Sequence, residues 1–279
     1  MNFVLGSRGR LGSAIACSFE ATRITVLDRA VYSDWWREGA VDHVSRFFKS
    51  SAENGGVVYV AAGILDPRRP VEEHHRVNFL LARNVIEGAT KLGLKVVTFG
   101  TVMERIFGGK TDNPYFLSKG KLGNFVSEFS VDSKLALHIQ IHTLYGGGMP
   151  DRFMFLGQLF NAITAHTCFK MSPGTQLREY HHIDDEIAAI AKLVEAEIGG
   201  TVDLSHGAPL TLRELAMYIF EQFDSLELLK IGALSGPPSD NYGILFERTP
   251  LLRELTFRDA FPSIVEYLRS CKALLGEQL

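Results

Sequence analysis

Short apolar runs alternate with longer amphipathic stretches along the first half of the chain. Runs rich in Val and Ile predict buried parallel strands at residues 3–5, 24–27, 57–62, 95–99 and 137–143. Helical periodicity predicts helices between them, at about residues 11–20, 35–49, 71–92 and 115–131. This order predicts an α/β fold with a doubly wound parallel sheet, whose ligand crevice lies at the carboxyl ends of the strands.

A glycine-rich loop, GSRGRLG, directly follows the first predicted strand. Gly6 would allow the tight turn, Gly9 the close approach of a phosphate, and Gly12 close packing of helix on strand. The second predicted strand is followed by Asp28, where an acid binds the hydroxyls of an adenosine ribose. Loop and acid together predict a dinucleotide-binding site, with the pyrophosphate at a helix N-terminus.

The choice between the two nicotinamide dinucleotides stays open in the sequence. The Asp28 carboxylate would repel a 2′-phosphate and so favours NAD(H). Arg8 and Arg29 offer two guanidinium groups to that phosphate and so favour NADP(H).

Candidate chemistry comes from NPYFLSK, in which Tyr115 and Lys119 lie one helical turn apart on the same face. An ammonium group at that spacing favours the phenolate and would lower the pKa of the phenol. Such a tyrosine can give or take a proton at a substrate hydroxyl while a cofactor carries the hydride.

With these motifs in order, the chain resembles the extended short-chain dehydrogenases/reductases that act on nucleotide sugars. GSRGRLG is similar to their GxxGxxG, VVYVAAG to their cofactor-flanking AAG, and RVNFLLARNVIEGA to their VNxxGTxNLLEA. VVTFGTVMER resembles the strand that ends in their catalytic Ser or Thr, and YFLSK their YxxxK pair. TLYGGGMP and GTQLREYHHIDD resemble their YGPG and GxQxRDFxHVDD segments. The resemblance implies a Rossmann-type fold with a smaller C-terminal substrate-binding lobe.

The resemblance also implies roles for individual residues. The catalytic residues it implies are Tyr115, Lys119 and Thr101. The cofactor-binding residues are Gly6, Arg8, Gly9, Arg10, Leu11, Gly12, Asp28, Arg29, Ala61, Ala62, Gly63, Asn78, Tyr115 and Lys119. The substrate-binding residues are Thr143, Gln176 and Arg178, with the Arg178 guanidinium as the candidate for a diphosphate contact.

Departures from the family's motifs reduce the number of reactions that the chain is expected to catalyse. Val102 and Met103 follow Thr101, where related 4,6-dehydratases carry an Asp–Glu pair, and Glu104 lies two places too late. Thr143 stands where epimerases often place an asparagine. These features favour a 4-ketoreductase that acts on a 4-keto-deoxysugar nucleotide. The alternatives are a 4-epimerase with tightly bound NAD and a non-catalytic dinucleotide-binding protein.

Composition limits the partners. The 279 residues are 46% hydrophobic, enough to bury a large core, and a net charge of −3 gives no basic field for nucleic acid or membrane lipid. Three scattered cysteines indicate a reducing compartment, no apolar run approaches the length of a membrane span, and the first strand leaves no room for a signal peptide. The sequence therefore predicts a cytoplasmic protein.

Other polar pairs receive a structural interpretation. Neither His74–His75 nor His181–His182 comes with a closed ligand set, so no metal is predicted. Asp184 and Asp185 are expected to cap a helix and to bond local backbone.

The expected division of the chain places the dinucleotide-binding domain at residues 1–145, with some later segments returning to it. Residues 146–279 would form mainly the substrate-binding lobe. The resemblance further implies a homodimer through the helices at residues 71–92 and 115–131, on apolar faces that include Leu80, Leu81, Val85, Phe125, Val126 and Phe129.

Overall fold

The computed structural model describes residues 1–50 and 55–276, which form two compact units. The first unit consists of Met1–Ile141 and Ala189–Leu204. The second consists of His142–Ala188 and the chain from Ser205 onward. The first boundary thus falls after Ile141, where the sequence placed it after residue 145, and one later segment returns to the first unit.

A parallel sheet of six strands forms the centre of the first unit. Its strands are β1 (Asn2–Leu5), β2 (Ile24–Val26), β3 (Val57–Val60), β4 (Lys95–Thr101), β5 (Ala136–Ile141) and β10 (Gly200–Asp203). They lie in the order β10-β5-β4-β3-β1-β2. Burial of β3, β4 and β5 on both faces explains why these segments are nearly continuous apolar runs. The predicted doubly wound α/β fold is confirmed.

The helices of the first unit match the four predicted stretches in order and add two short ones, at residues 29–32 and 103–107, that the sequence did not predict. They are α1 (Arg10–Cys17), α2 (Arg29–Tyr32), α3 (Ala40–Phe48), α4 (Val71–His74), α5 (Leu81–Thr90), α6 (Met103–Phe107) and α7 (Pro114–Phe129). The helix predicted from residue 35 begins only at Ala40, because Gly39 takes a left-handed conformation with φ 75°. A π-helical segment, His75–Leu80, joins α4 to α5.

The apolar run at residues 137–143 divides between the two units. β5 ends at Ile141, and β6 (Thr143–Tyr145) pairs instead with β9 (Tyr180–His182). Hydropathy does not distinguish one long strand from two short ones that hydrogen-bond to different partners. The prediction of a single strand there is wrong.

The second unit has its own apolar core, which short strands and three helices surround. Its remaining elements are α8 (Phe155–Thr164), β7 (Phe169–Met171), β8 (Leu177–Arg178), β11 (Leu210–Thr211), α10 (Leu212–Gln222), β12 (Leu229–Ile231) and α11 (Ala260–Gly276). The helix α9 (Ile183–Glu195) begins in this unit and ends in the first. A capping box between Thr211 and Glu214 starts α10.

No helix in the described part of the chain is both long and apolar enough to cross a bilayer.

Candidate active site

The glycine loop brings the start of α1 against the end of β3. Gly6 has φ 87°, and a Cβ there would collide with the peptide between Ala61 and Ala62. A Cβ at Gly12 would collide with the Gly6 carbonyl group. Only glycine fits at these two positions, so the loop makes the tight turn and α1 the close packing that the dinucleotide prediction requires.

A cavity of about 400 Å³ lies beside this loop. Predicted cofactor residues that line it are Gly6, Arg8, Gly9, Asp28, Arg29, Ala61, Ala62 and Gly63. Arg10, Leu11 and Gly12 belong to α1 and do not line the cavity. Two aromatic residues also line it: Trp36, which the sequence left open between a place beside adenine and a surface helix, and Tyr32, which the sequence did not indicate. The Tyr32 hydroxyl accepts the Gly6 N–H at 3.2 Å. Both follow Asp28 within eight residues, on the segment that borders the crevice.

Asp28, which favours NAD(H), and Arg8, which favours NADP(H), lie close together at one edge of the cavity. Asp28 Oδ1 accepts the Ala30 N–H at 2.8 Å and so caps α2. Asp28 Oδ2 lies 3.7 Å from Arg8 Nη2, and both side chains are exposed. The guanidinium group therefore offsets part of the charge with which the carboxylate would repel a 2′-phosphate.

Asn78 ties the cofactor crevice to α7. Its Oδ1 accepts the Ile64 N–H at 2.7 Å, and its Nδ2 donates to the Ile64 carbonyl and to Ser118 Oγ, both at 3.0 Å. A Cβ added at Gly63 would lie 3.3 Å from Asn78 Oδ1 and 3.6 Å from Lys119 Nζ. Predicted cofactor residues from the loop after β3, from the π-helical segment and from α7 thus lie close together.

Lys119 is buried on α7, and its Nζ donates to the Phe99 carbonyl at 2.7 Å. Burial lowers the pKa of Lys119 to about 8, against the opposing effect of the Glu104 carboxylate. An amine with this pKa exchanges protons near neutral pH.

Tyr115 lies in the first turn of α7, which begins because Asn113 caps it and Pro114 follows. Burial of the phenol raises the pKa of Tyr115 above its ordinary value, and the Glu104 carboxylate raises it further. The expectation that Lys119 lowers this pKa is therefore wrong in this structure. Desolvation of the phenol and the negative charge of Glu104 both raise the pKa of Tyr115. Lys119 does not offset them, because burial disfavours its own charged form.

Glu104 is a buried acid to which the sequence assigned no role. Its Oε1 accepts the Thr101 N–H at 2.7 Å, and its Oε2 accepts Gln140 Nε2 at 2.9 Å and lies 3.2 Å from His138 Nε2. Burial alone raises the pKa of Glu104, but the His138 charge and the hydrogen bonds from His138, Gln140 and Thr101 together lower it. A carboxylate that influences both Tyr115 and Lys119 is thus held ionised beneath Thr101.

Thr101, the third predicted catalytic residue, ends β4 and is half-buried. Its Oγ1 accepts the Met103 N–H at 3.3 Å, a weak bond that leaves the hydroxyl proton available to another acceptor.

The three predicted substrate residues all lie in the second unit. Arg178 donates to Asp240 at 2.7 Å and to the Leu177 carbonyl at 2.8 Å, so a phosphate at this guanidinium group would compete with Asp240. Gln176 is buried, and its Oε1 has no hydrogen-bond partner among the described residues. Thr143 is half-buried in β6, where its N–H donates to the Glu179 carbonyl at 3.1 Å.

Asp184 and Asp185 lie in the first turn of α9, as predicted. Their carboxylates bind Arg258, however, at 3.3 Å from Asp184 and 2.6 Å from Asp185. The expectation that they bond local backbone is wrong, because the guanidinium group of Arg258, which is distant in sequence, binds both carboxylates.

The profile of the NAD dependent epimerase/dehydratase family matches residues 2–204, and the chain belongs to this family. No curated protein sequence matches the chain significantly.

Solved structures of low sequence identity share the fold over nearly the whole chain. One is the UDP-glucose 4-epimerase of Thermotoga maritima with UDP-glucose, with a TM-score of 0.78, 15% identity and 99% and 100% of the two chains covered. Another is the dTDP-glucose 4,6-dehydratase of Streptomyces venezuelae with NAD, with a TM-score of 0.78, 15% identity and 99% and 98% covered. A third is a dTDP-4-dehydrorhamnose reductase from Clostridium acetobutylicum, with a TM-score of 0.74, 19% identity and 98% and 100% covered.

Family membership and the glycine cradle agree on the class of cofactor. The family is one of NAD-dependent enzymes, and Gly6 and Gly12 allow the tight turn and the close helix packing of a dinucleotide-binding loop. A nicotinamide dinucleotide is therefore the cofactor class of this chain. The three similar structures catalyse different reactions on one fold, so the fold does not select among them.

Proposed function

We propose that this protein is an NAD(P)-dependent oxidoreductase that reduces a 4-keto-deoxysugar nucleotide, with Tyr115 as the proton donor. The cofactor supplies the hydride when it is bound. Tyr115 gives its proton to the sugar oxygen, Thr101 hydrogen-bonds the same oxygen, and Lys119 donates to the ribose of the cofactor and restores the proton of Tyr115.

The feature that supports the direction of this reaction is the environment of Tyr115, which lies in the first turn of α7 within reach of the Glu104 charge. Burial and the Glu104 carboxylate both raise its pKa, so the phenol keeps its proton at neutral pH. Reduction of a ketone needs a proton donor at that position, whereas oxidation of a hydroxyl group needs a base. A tyrosine that holds its proton supports the reductive direction.

Dehydration is disfavoured by the three residues directly after Thr101. Val102 and Met103 bear no titratable group, and the Glu104 carboxylate is occupied by Thr101, His138 and Gln140. Elimination of water needs an acid and a base that are free to reach the sugar. None of these positions supplies such a pair.

The substrate class rests on the similar structures and on the second unit. UDP-glucose is bound in the Thermotoga epimerase, and the Clostridium enzyme is a reductase of a dTDP-4-dehydro sugar. We assign Arg178, Gln176 and Thr143 to the nucleotide sugar, with Arg178 on the diphosphate. Buried Gln176 Oε1 is an acceptor for a sugar hydroxyl or for the base.

The proposal is tested by absorbance of the reduced nicotinamide after a 4-keto-deoxysugar nucleotide is added with NADPH or NADH in excess. One equivalent of reduced cofactor should be consumed for each ketone, and the preferred cofactor resolves the competition between Asp28 and Arg8. No consumption, together with NAD that stays bound through purification, would instead identify a 4-epimerase. Cofactor binding without any turnover would identify a non-catalytic protein.

We also propose a homodimer, on a narrower surface than the sequence suggested. Leu81, Val85 and Val126 point into the core, while Leu80, Phe125 and Phe129 are half-buried at the surface of the helices. Light scattering on Phe129→Glu and on the wild type measures the mass. A dimer that becomes monomeric in the variant supports this surface, and a wild-type monomer contradicts it.

A further inference from the structure

A cluster of histidines and acids lies within the second unit, apart from every residue assigned above to cofactor or proton transfer. Glu179, His181 and His206 each present one ligand atom, and these atoms lie within 4.8 Å of one another. His142 completes the cluster, since its Nε2 lies 3.9 Å from Glu179 Oε1. The side chains of all four are at most 7% exposed.

We propose that this cluster is a structural binding site for a divalent transition metal of the zinc class, with Glu179, His181, His206 and His142 as ligands. The inference is independent of the proposed reductase activity. The expectation of no metal considered only neighbouring histidines in the sequence, whereas the fold gathers these ligands from β9, from the residue between β8 and β9, and from the loops that precede β6 and follow β10.

The spacing of the ligand atoms suits tetrahedral zinc. Bonds of 2.0–2.1 Å to nitrogen and oxygen place tetrahedral ligand atoms roughly 3.4 Å apart. His181 Nε2 lies 3.2 Å and His206 Nδ1 lies 3.5 Å from Glu179 Oε2, close to that separation. His142 Nε2, at 3.9 Å from the other oxygen, needs a shift of about half an ångström to reach it.

Groups behind the ligands hold them in the orientation that metal binding requires. Glu186 Oε2 lies 2.7 Å from His181 Nδ1, so that Nε2 of the same ring faces Glu179. A carboxylate behind a histidine in this way fixes the ring and makes it a better ligand. Ser205 Oγ donates to Glu179 Oε1 at 2.7 Å, and the His206 N–H donates to Oε2 at 2.9 Å.

The cluster also contains polar atoms that the protein itself does not satisfy. Within the described ranges, the buried Nε2 atoms of His142 and His206 have no hydrogen-bond partner. Such orphaned atoms cost about 1–3 kcal/mol each when buried, and a metal ligated by His142 Nε2 removes one of them. His206 Nδ1 accepts the Ala208 N–H at 3.0 Å, and a metal at that nitrogen would replace this hydrogen bond.

Aromatic rings wall the cluster off from water, as is typical of a structural site. Phe257 lies 5.3 Å from the rings of both His181 and His206, and Phe246 lies 5.1 Å from that of His142. Imidazole and carboxylate together suit zinc and cobalt better than the all-oxygen sites of magnesium and calcium.

The test is the metal content of the full-length protein, purified without a metal-affinity tag. After dialysis against ZnCl₂ and then metal-free buffer, we expect about one zinc per chain, and a cobalt-substituted form with the visible absorption of a tetrahedral site. A folded wild-type protein that retains no zinc or cobalt overturns the proposal, and this result depends on no variant.

Variants locate the metal. His181→Gln and His142→Gln should each lose the retained metal, and Glu186→Gln should weaken binding by about 10–100-fold. His166→Asn is the matched control, because His166 is exposed and outside the cluster, and it should bind as the wild type does. Loss of metal in the control, with retention in folded His181→Gln, would show an adventitious surface ion and contradict the site.

Discussion

Glu104 in the first unit and Glu179 in the second are both buried beside histidines, but their hydrogen-bond partners differ. Glu104 accepts hydrogen bonds from a glutamine and a backbone N–H and lies against His138, whose other ring nitrogen pairs with Thr98 Oγ1 at 2.8 Å. Glu179 lies among three histidines, two of which keep a buried nitrogen without a partner in the described chain.

The difference lies in what each cluster still needs. Around Glu104 the histidine has a partner at both ring nitrogens, and the charge of the carboxylate acts outward, on the pKa values of Tyr115 and Lys119. Around Glu179 the Nε2 atoms of His142 and His206 have no hydrogen-bond partner among the described residues, and a cation bound by His142 Nε2 would satisfy the first of them. We therefore interpret the first glutamate as a group that tunes Tyr115 and the second as a metal ligand.

The largest expected effect is the loss of turnover when Tyr115, whose pKa Glu104 raises, is replaced. Tyr115→Phe removes the proton donor, and we expect kcat for reduction of the keto sugar to fall about 10²–10⁴-fold. The dissociation constant of the cofactor, measured by fluorescence, should stay nearly unchanged because the change removes only the hydroxyl group that we place on the sugar oxygen. Undiminished turnover in Tyr115→Phe would show that another group donates the proton.

A chelator should lower the stability that depends on the Glu179 cluster and leave the Glu104 cluster unaffected. With free zinc at 100 times its dissociation constant, bound metal adds about 2.7 kcal/mol to the free energy of unfolding. Dialysis against a chelator should therefore lower the melting temperature of the wild type, while Glu179→Gln should melt at one temperature with or without it. His138→Gln is the control from the Glu104 cluster and should respond to the chelator as the wild type does.

Removing the charge of Glu104 or of Glu179 should lower the free energy of unfolding by amounts that depend differently on zinc. Glu104→Gln retains an acceptor for the Thr101 N–H, and we expect a loss of about 1–3 kcal/mol in the free energy of unfolding, whatever the metal content. Glu179→Gln should cost a similar amount in metal-free buffer and more when zinc is present. Urea denaturation of both variants, with and without zinc, measures the four values, and equal zinc dependence in the two variants would contradict the contrast.

The smallest expected effect is a shift in the pH dependence of turnover. Lys119 must be protonated to return a proton to Tyr115, so the rate should fall as the pH rises through the pKa of Lys119 at about 8. The Glu104 carboxylate raises that pKa, and Glu104→Gln should therefore move the alkaline limb of the profile to lower pH. Glu128→Gln, an exposed change on the same helix, is the control. An unmoved limb in Glu104→Gln would show that Glu104 does not act on Lys119.

Most of the first unit could be predicted because its signals are local in sequence. Gly6 and Gly12 mark the loop, and the spacing of Tyr115 and Lys119 marks one helical face, so each motif reports its own geometry. The late start of α3 was missed because hydropathy continues through Trp35 and Trp36, while Gly39 sets the backbone conformation that delays the helix.

The rest depends on contacts between distant parts of the chain. The raised pKa of Tyr115 comes from burial and from Glu104, neither of which its YxxxK motif contains. Likewise, His142, His181 and His206 stand far apart in the sequence, and none belongs to a metal-binding motif. Only the pairing of β6 with β9 and the packing of the adjoining loops bring them around Glu179.

A deuterium label on the cofactor follows the transferred hydrogen directly. The protein is incubated with a 4-keto-deoxysugar nucleotide and with NADPH or NADH that carries deuterium at the transferred position of nicotinamide C4. We predict one deuterium at sugar C4 for each reduced cofactor consumed, in the wild type and not in Tyr115→Phe. A product formed without net consumption of reduced cofactor, or with deuterium elsewhere on the sugar, would contradict the proposed reduction.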